Sequence, residues 1–113
     1  MKWKIIYCNA LVEEAVLSLP DGLLARYARL TETMKEHGPN LGMPHTRAMG
    51  DGLFELRLKG KEGISRVFYC TIVHHEILML HAFVKKTQKT QKHELEIAKK
   101  RLKEVKQNAK EIA

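Results

Sequence analysis

Two different periods of hydrophobic and polar residues run along the chain, and the change from one to the other separates the predicted elements. Residues 3–7 are rich in β-branched and aromatic side chains and predict a short strand. Apolar residues then recur every three or four positions in residues 11–19 and again in residues 23–37, which predicts two amphipathic helices. Asn9 is a natural N-cap for the first helix, and Gly38 followed by proline ends the second. We expect these helices to form a hairpin that lies on a sheet.

The middle of the chain has the pattern of a loop followed by three strands. Residues 40–52 include Gly42, Pro44, Gly50 and Gly52, so they predict a loop. Strand patterns follow at residues 53–59, about 65–73 and 77–85, and the segments between them contain only a few residues. Such short connections join antiparallel neighbours in a sheet.

The last segment, about residues 91–112, predicts the clearest helix of the chain. Its apolar residues Leu95, Ala98, Leu102 and Val105 are spaced by three and four, and Thr90 is a natural N-cap. The predicted order is therefore β-α-α-β-β-β-α. This order indicates an α+β fold with a small, mostly antiparallel sheet, a helical hairpin on one face and a C-terminal helix. A chain of 113 residues fits one domain, which we take as residues 1–113.

Alternation along the three later strands divides their side chains between two faces of the sheet. The last strand has an apolar face, which we expect to be core beneath the helical hairpin: Leu78, Leu80, Ala82 and Val84. We expect Ile77 and Met79, on the other face, to lie under the C-terminal helix. That other face gathers a basic set with one aromatic ring: Arg57, Lys59, Arg66, His81, Phe83 and Lys85.

Cations beside an aromatic ring suit single-stranded RNA, because lysine and arginine hold phosphates while a ring stacks on an unpaired base. Cleavage of RNA without a metal needs a base for the 2′-hydroxyl, cations for the pentavalent phosphate and an acid for the leaving oxygen. His81 is a candidate acid or base. Arg57, Arg66 and Lys85 are candidates to hold the phosphate. A lysine crowded by cations, Lys59 or Lys85, is also a candidate for proton transfer.

Each of these residues also has a purely structural explanation. Arg57 and Lys59 alternate with leucines, as on any solvent-facing strand. His81 and Phe83 fit equally well as buried strand residues. The pair at positions 74 and 75 has no third ligand nearby, so we expect no metal site and no cofactor.

The net charge of +7 is concentrated at the C-terminal end of the chain. Residues 1–84 carry a net charge of +1 and residues 85–113 a net charge of +6. Such a basic end favours nucleic acid or an acidic protein as a partner, although a solvated helix face has the same composition. The cysteines Cys8 and Cys70 lie in apolar runs and suggest no disulfide framework. Without a signal peptide or a membrane-spanning run, we expect a cytoplasmic protein with no membrane partner.

Several runs of residues, taken in order, resemble one known family. They are LGMP at 41–44, GLFELR at 52–57, RVFY at 66–69 and LHAFVKKT at 80–87. This set is similar to the phage-derived HigB-like branch of the RelE/ParE toxin superfamily, and the resemblance covers about residues 5–105.

The resemblance implies a RelE-like fold and the role of a toxin in a type II toxin–antitoxin pair. Toxins of this type cut mRNA on the translating ribosome without a metal, and a HigA-like antitoxin with a helix-turn-helix domain silences them. Carried over by motif, the catalytic candidates are Arg57 and Arg66, with Lys85 or Lys86 at the end of the third strand, and His81 is less uniform in the family. The candidate RNA-contacting residues are Lys59, Phe83, Lys86 and Lys89.

Two other functions remain open on the sequence. The ParE branch shares the fold but inhibits DNA gyrase instead of cutting RNA, and the retained Arg57, Arg66 and Lys85 favour a ribonuclease. The second open function is that of a non-catalytic module, which binds nucleic acid or an acidic protein through the basic C-terminal end.

Overall fold

The computed structural model describes residues 2–72, 75–85 and 92–112. Their eight elements are, in chain order, β1 (Lys4–Tyr7), α1 (Ala10–Leu17), α2 (Asp21–His37), β2 (Thr46–Gly50), β3 (Leu53–Gly60), β4 (Gly63–Ile72), β5 (Glu76–Lys85) and α3 (Lys92–Ile112).

The five strands form one sheet in the order β1-β5-β4-β3-β2. The β1 strand runs parallel to β5, and every other neighbouring pair is antiparallel. Gly60 pairs with Gly63, so β3 and β4 are joined by a tight hairpin turn as expected. The predicted α+β class and the mostly antiparallel sheet are confirmed.

The strand β2 is a correction, because residues 40–52 were predicted to be a loop throughout. Thr46 pairs with Leu56, and the register shifts between Ala48 and Gly50. This edge strand has one large apolar residue, Met49, and ends in a glycine. Its pairing therefore depends on hydrogen bonds to β3 and not on a pattern of its own.

The predicted helix ends are confirmed where they depend on local chemistry. The Asn9 side chain accepts a hydrogen bond from the backbone N–H of Val12 at 3.0 Å, which satisfies one of the free donors of α1. Gly38 ends α2 in the positive-φ region, at 101°, and its N–H donates to the carbonyl of Met34. Thr90, the predicted cap of α3, lies outside the described residues.

Two hydrophobic clusters lie on opposite faces of the sheet. The helices α1 and α2 cover one face with residues that include Val12, Val16, Leu23, Tyr27 and Met34. The helix α3 covers part of the other face with Ala98 and Leu102, which pack against Leu53, Phe68, Cys70, Leu78 and Leu80.

The predicted apolar face of β5 is wrong for Leu78 and Leu80 and right for Ala82, because β5 contains a β-bulge. Phe68 pairs with His81 and the next residue, Tyr69, pairs with Met79, so Leu80 has no partner on β4. One extra residue in a strand reverses the inside–outside alternation beyond it.

The bulge reverses the predicted faces only in the first half of β5. Leu78 and Leu80 pack under α3, whereas Ala82 packs under α1 and α2 and Val84 is 40% exposed. Ile77 and Met79 were expected under α3, but they lie under α1 and α2.

Both cysteines are free thiols. No helix within the described ranges combines the length and the apolar character that a membrane crossing needs.

Candidate functional site

A cleft of 320 Å³ lies where β3 turns into β4 and where β5 ends. Among the described residues that line it, five are positively charged and none is acidic. The lining residues are Arg26, Pro44, His45, Arg57, Leu58, Lys59, Ile64, Arg66 and Lys85.

The strand registers explain why these cations meet. Arg57 pairs with Arg66, and Arg66 pairs with Phe83 on the next strand. Two residues further along the strands, Lys59 pairs with Ile64, and Ile64 pairs with Lys85. Directly paired residues share a face, so three neighbouring strands present their cations on the same side. The structure therefore brings together Arg57, Lys59, Arg66 and Lys85, four residues that the sequence singled out.

A buried carboxylate holds the arginines in place. Glu55 is 1% exposed and lies on the same face of β3 as Arg57. Its Oε1 accepts a hydrogen bond from Arg66 Nη1 at 2.7 Å and lies 3.8 Å from Arg57 Nε. Arg66 is itself only 6% exposed, so this charge-assisted bond fixes the direction of its guanidinium group.

Lys85 stands at the mouth of the cleft with an altered proton affinity. Partial desolvation, followed by the nearby charge of Arg66 and then of Arg57, lowers the pKa of Lys85, and Glu55 offsets part of this effect. An ammonium group in this position releases its proton more readily than that of an isolated lysine. Lys85 can therefore serve both as a phosphate ligand and as a group that exchanges protons.

Two lining residues were missed by sequence reasoning, His45 and Arg26. His45 directly precedes β2, and its carbonyl accepts a hydrogen bond from the backbone N–H of Arg57 at 2.8 Å. Because β2 was not predicted, nothing in the sequence connected His45 with Arg57. Arg26 lies on α2, and the helical pattern does not distinguish it from the exposed Arg29.

His81 lies on the same face but outside the cleft, beneath α3. Its Nε2 is hydrogen-bonded to the carboxylate of Glu94, and its Nδ1 lies 3.3 Å from Arg101 Nη1. Arg101 also donates to the carbonyl of Leu80 at 2.7 Å. Among the described residues, His45 and not His81 is thus the histidine that lines the cleft.

Phe83 forms the boundary between the cleft and the α3 contact. Its ring centroid lies 5.7 Å from that of His81 and 5.9 Å from that of Phe68, with both pairs stacked. The ring is half-buried, so it contributes to packing and still presents some surface. The other two predicted RNA-contacting residues, Lys86 and Lys89, lie outside the described residues. No three histidine, cysteine or acidic side chains of the described chain are grouped closely enough to hold a metal ion.

A family model described as phage-derived protein Gp49-like (DUF891) matches residues 14–103 of the chain. The match spans every residue that lines the cleft. No curated protein matches the sequence. Toxins of the RelE/ParE-like superfamily, to which this family belongs, act in pairs with an antitoxin, so membership implies an antitoxin partner. The chain belongs to the phage-derived Gp49-like family, which is part of the RelE/ParE-like toxin superfamily.

Proposed function

We propose that the protein is a HigB-like toxin of a type II toxin–antitoxin pair and a metal-independent endoribonuclease that cuts mRNA on the translating ribosome. The observation that carries this proposal is the cleft in which Arg57, Arg66 and Lys85 converge from three neighbouring strands. Membership of a toxin-type family supports the same reading. The proposed silencing partner is a HigA-like antitoxin with a helix-turn-helix domain.

The arginines of the cleft are suited to a phosphate whose charge increases during the reaction. A guanidinium group offers several N–H donors in a fixed plane, which match the oxygens of a phosphate. The Glu55 carboxylate holds Arg66 before substrate arrives, so little reorganisation is needed in the transition state. In the proposed reaction Arg57 and Arg66 bind the nonbridging oxygens of the scissile phosphate.

The proposed reaction uses the substrate's own 2′-hydroxyl as the nucleophile. Its oxygen attacks the neighbouring phosphorus, the bond to the 5′-oxygen breaks, and the products carry a 2′,3′-cyclic phosphate and a 5′-hydroxyl. One group must accept the proton of the 2′-hydroxyl and another must donate a proton to the leaving oxygen.

Lys85 and His45 are the cleft residues suited to these proton transfers. The pKa of Lys85 is lowered by desolvation and by Arg66, and the imidazole of His45 has ring nitrogens that can accept or donate a proton. His81, the histidine singled out by the sequence, is bonded to Glu94 and faces Arg101. We therefore assign proton transfer to Lys85 and His45 first and propose that His81 positions Phe83 on β5.

The remaining proposed contacts extend the RNA path beyond the scissile phosphate. Lys59 is exposed at the rim of the cleft, and Phe83 presents part of its ring beside Arg66. Lys86 and Lys89 follow β5 in sequence and are proposed to bind flanking phosphates. Contacts of this kind are insensitive to base identity and favour unpaired RNA.

The test is induced expression in bacteria, followed by growth curves and mapping of mRNA ends. We expect wild type to arrest growth and to produce new 5′-hydroxyl ends, and we expect coexpression of the cognate antitoxin to restore growth. Arg57→Ala and Lys85→Ala should each reduce cleavage by roughly a hundredfold, the usual effect of removing one charge-stabilising donor. Arg29→Ala removes a cation from the exposed surface of α2 and serves as the matched control.

Arg66 needs a gentler substitution than alanine. Arg66→Ala would leave the buried carboxylate of Glu55 unpaired and cost about 3–5 kcal/mol of stability. Arg66→Lys keeps the charge and removes the planar fork, so reduced cleavage in a folded protein would reflect the site itself. Growth arrest with intact mRNA and damaged DNA would instead identify a gyrase poison, and unimpaired growth would identify a non-catalytic binding protein.

A further inference from the structure

A second and larger cleft, of 640 Å³, lies at the opposite end of β3 and plays no part in the proposed ribonuclease site. It separates the β2–β3 turn from the exposed side of α3. Its lining residues are Gly50, Asp51, Leu53, Lys99, Leu102, Lys103, Lys106 and Gln107.

This cleft combines an apolar floor with a basic rim. Leu53 and Leu102 form the floor, and both belong to the hydrophobic cluster beneath α3. The exposed lysines Lys99, Lys103 and Lys106 are spaced by four and three residues, so they project from one side of the helix. Lys106 Nζ also reaches across the cleft and donates to the carbonyl of Asp51 at 2.5 Å.

We propose that this cleft is a docking surface for an acidic, amphipathic segment of a partner protein. Aliphatic side chains of that segment cover the leucine floor, and its carboxylates pair with the lysines of the rim. A segment with only one of these properties would bind less tightly. A purely apolar segment would leave the lysines unpaired, and a purely acidic one would leave the leucine floor uncovered.

The chemistry of the cleft favours a protein segment over RNA. Its lining residues, within the described part of the chain, include no aromatic ring and no arginine, which are the side chains that stack on bases and bind phosphates in a bidentate way. The cleft of the proposed ribonuclease site, by contrast, has three arginines among its described lining residues.

The proposal is tested on the full-length protein with fluorescently labelled synthetic peptides. The probe is a helical peptide with leucine at every third or fourth position and glutamate elsewhere. One control peptide replaces leucine with serine, and a second replaces glutamate with lysine. We expect binding of the first peptide only, and single-stranded RNA in excess should not compete for it.

Matched charge reversals on the same helix locate the peptide. Lys99→Glu/Lys103→Glu should weaken binding about tenfold, the combined effect of reversing two exposed ion pairs. Lys92→Glu/Lys100→Glu changes the net charge equally at exposed positions outside the cleft, and it should bind as wild type does. Equal loss in both variants, equal binding of the serine peptide, or displacement of the peptide by RNA would each overturn the proposal. Because the readout is binding alone, it can succeed or fail whatever the outcome for ribonuclease activity.

Discussion

At the scale of single residues, the electrostatics of the cleft at the β3–β4 turn depend on the balance of one carboxylate against several cations. Glu55 compensates Arg66 at 2.7 Å and is more distant, at 3.8 Å, from Arg57. Lys85 therefore remains among partly uncompensated positive charges, which together with desolvation lowers its pKa. An isolated lysine on a strand would show no such effect.

This lowered pKa predicts how RNA binding depends on pH. In the proposed site a protonated Lys85 binds phosphate, so its contribution is expected at neutral pH and is lost as pH rises through a value below the ordinary 10.5. We expect binding to weaken about tenfold over this range, the value of one charge-assisted hydrogen bond. The measurement is fluorescence anisotropy with 2′-O-methyl RNA of adenine and cytosine only, which is neither cleaved nor titrated there.

Two lysine-to-arginine variants provide the comparison. Lys85→Arg should keep its affinity across the alkaline range, because arginine stays protonated. Lys4→Arg, at the exposed opposite edge of the sheet, should follow the wild-type curve. Superimposable curves for wild type and Lys85→Arg would contradict the assigned role.

At the scale of elements, the bulge in β5 links the sheet to α3. Leu80 has no partner on β4, so its carbonyl needs a hydrogen-bond donor from elsewhere in the protein. Arg101 supplies it with a hydrogen bond of 2.7 Å, and the Cys8 thiol lies 3.6 Å from the same carbonyl. The same Arg101 side chain faces His81, so the helix, the bulge and the predicted histidine form one contact.

Arg101→Met is therefore expected to destabilise the protein even though it retains the packing of the side-chain stem. The buried Leu80 carbonyl would lose its charged donor, which costs about 1–3 kcal/mol. Urea unfolding followed by circular dichroism measures the change. Lys100→Met, at the exposed position next to it, should stay within about 0.5 kcal/mol of wild type. Equal stability of the two variants would show that the bulge does not depend on Arg101.

At the scale of the whole molecule, one sheet supports two hydrophobic clusters that share their strands. Phe68 packs under α3 while its neighbours Val67 and Tyr69 pack under α1 and α2. Removal of the middle strand β4 from the sheet would expose apolar residues of both clusters to water. The helix α3 is thus coupled to α1 and α2 through the sheet, although it lies on the opposite face.

This coupling predicts a single cooperative unfolding transition. Trp3 packs against the cluster of α1 and α2, so its fluorescence reports one face, whereas far-ultraviolet circular dichroism reports all three helices. We expect both signals to change at the same urea concentration, as two-state unfolding requires. A loss of helical signal before the change in Trp3 fluorescence would show that α3 unfolds on its own.

The types of the elements and the family could be predicted from the sequence because they depend on local or ordered patterns. Helical spacing and the caps at Asn9 and Gly38 act within a few residues, and the structure has them where expected. Alternation along β3 and β4 placed Arg57, Lys59 and Arg66 on one face for the same reason. The four sequence runs at 41–44, 52–57, 66–69 and 80–87 indicated the toxin superfamily, because together they include residues from several strands in a fixed order.

Only the tertiary structure decided which of these residues share a cleft. The edge strand β2, which brings His45 to Arg57, is held by hydrogen bonds to a distant part of the chain. The bulge at Leu80 reversed the faces of the first half of β5 relative to the second, and the sequence did not show it because a single unpaired residue leaves no mark on the apolar pattern. His81 shares the predicted face, yet contacts from α3 separate it from the cleft. The alternation of residues in the sequence thus determined which face of a regular strand each side chain lies on. The pairing between distant parts of the chain determined which side chains lie next to one another.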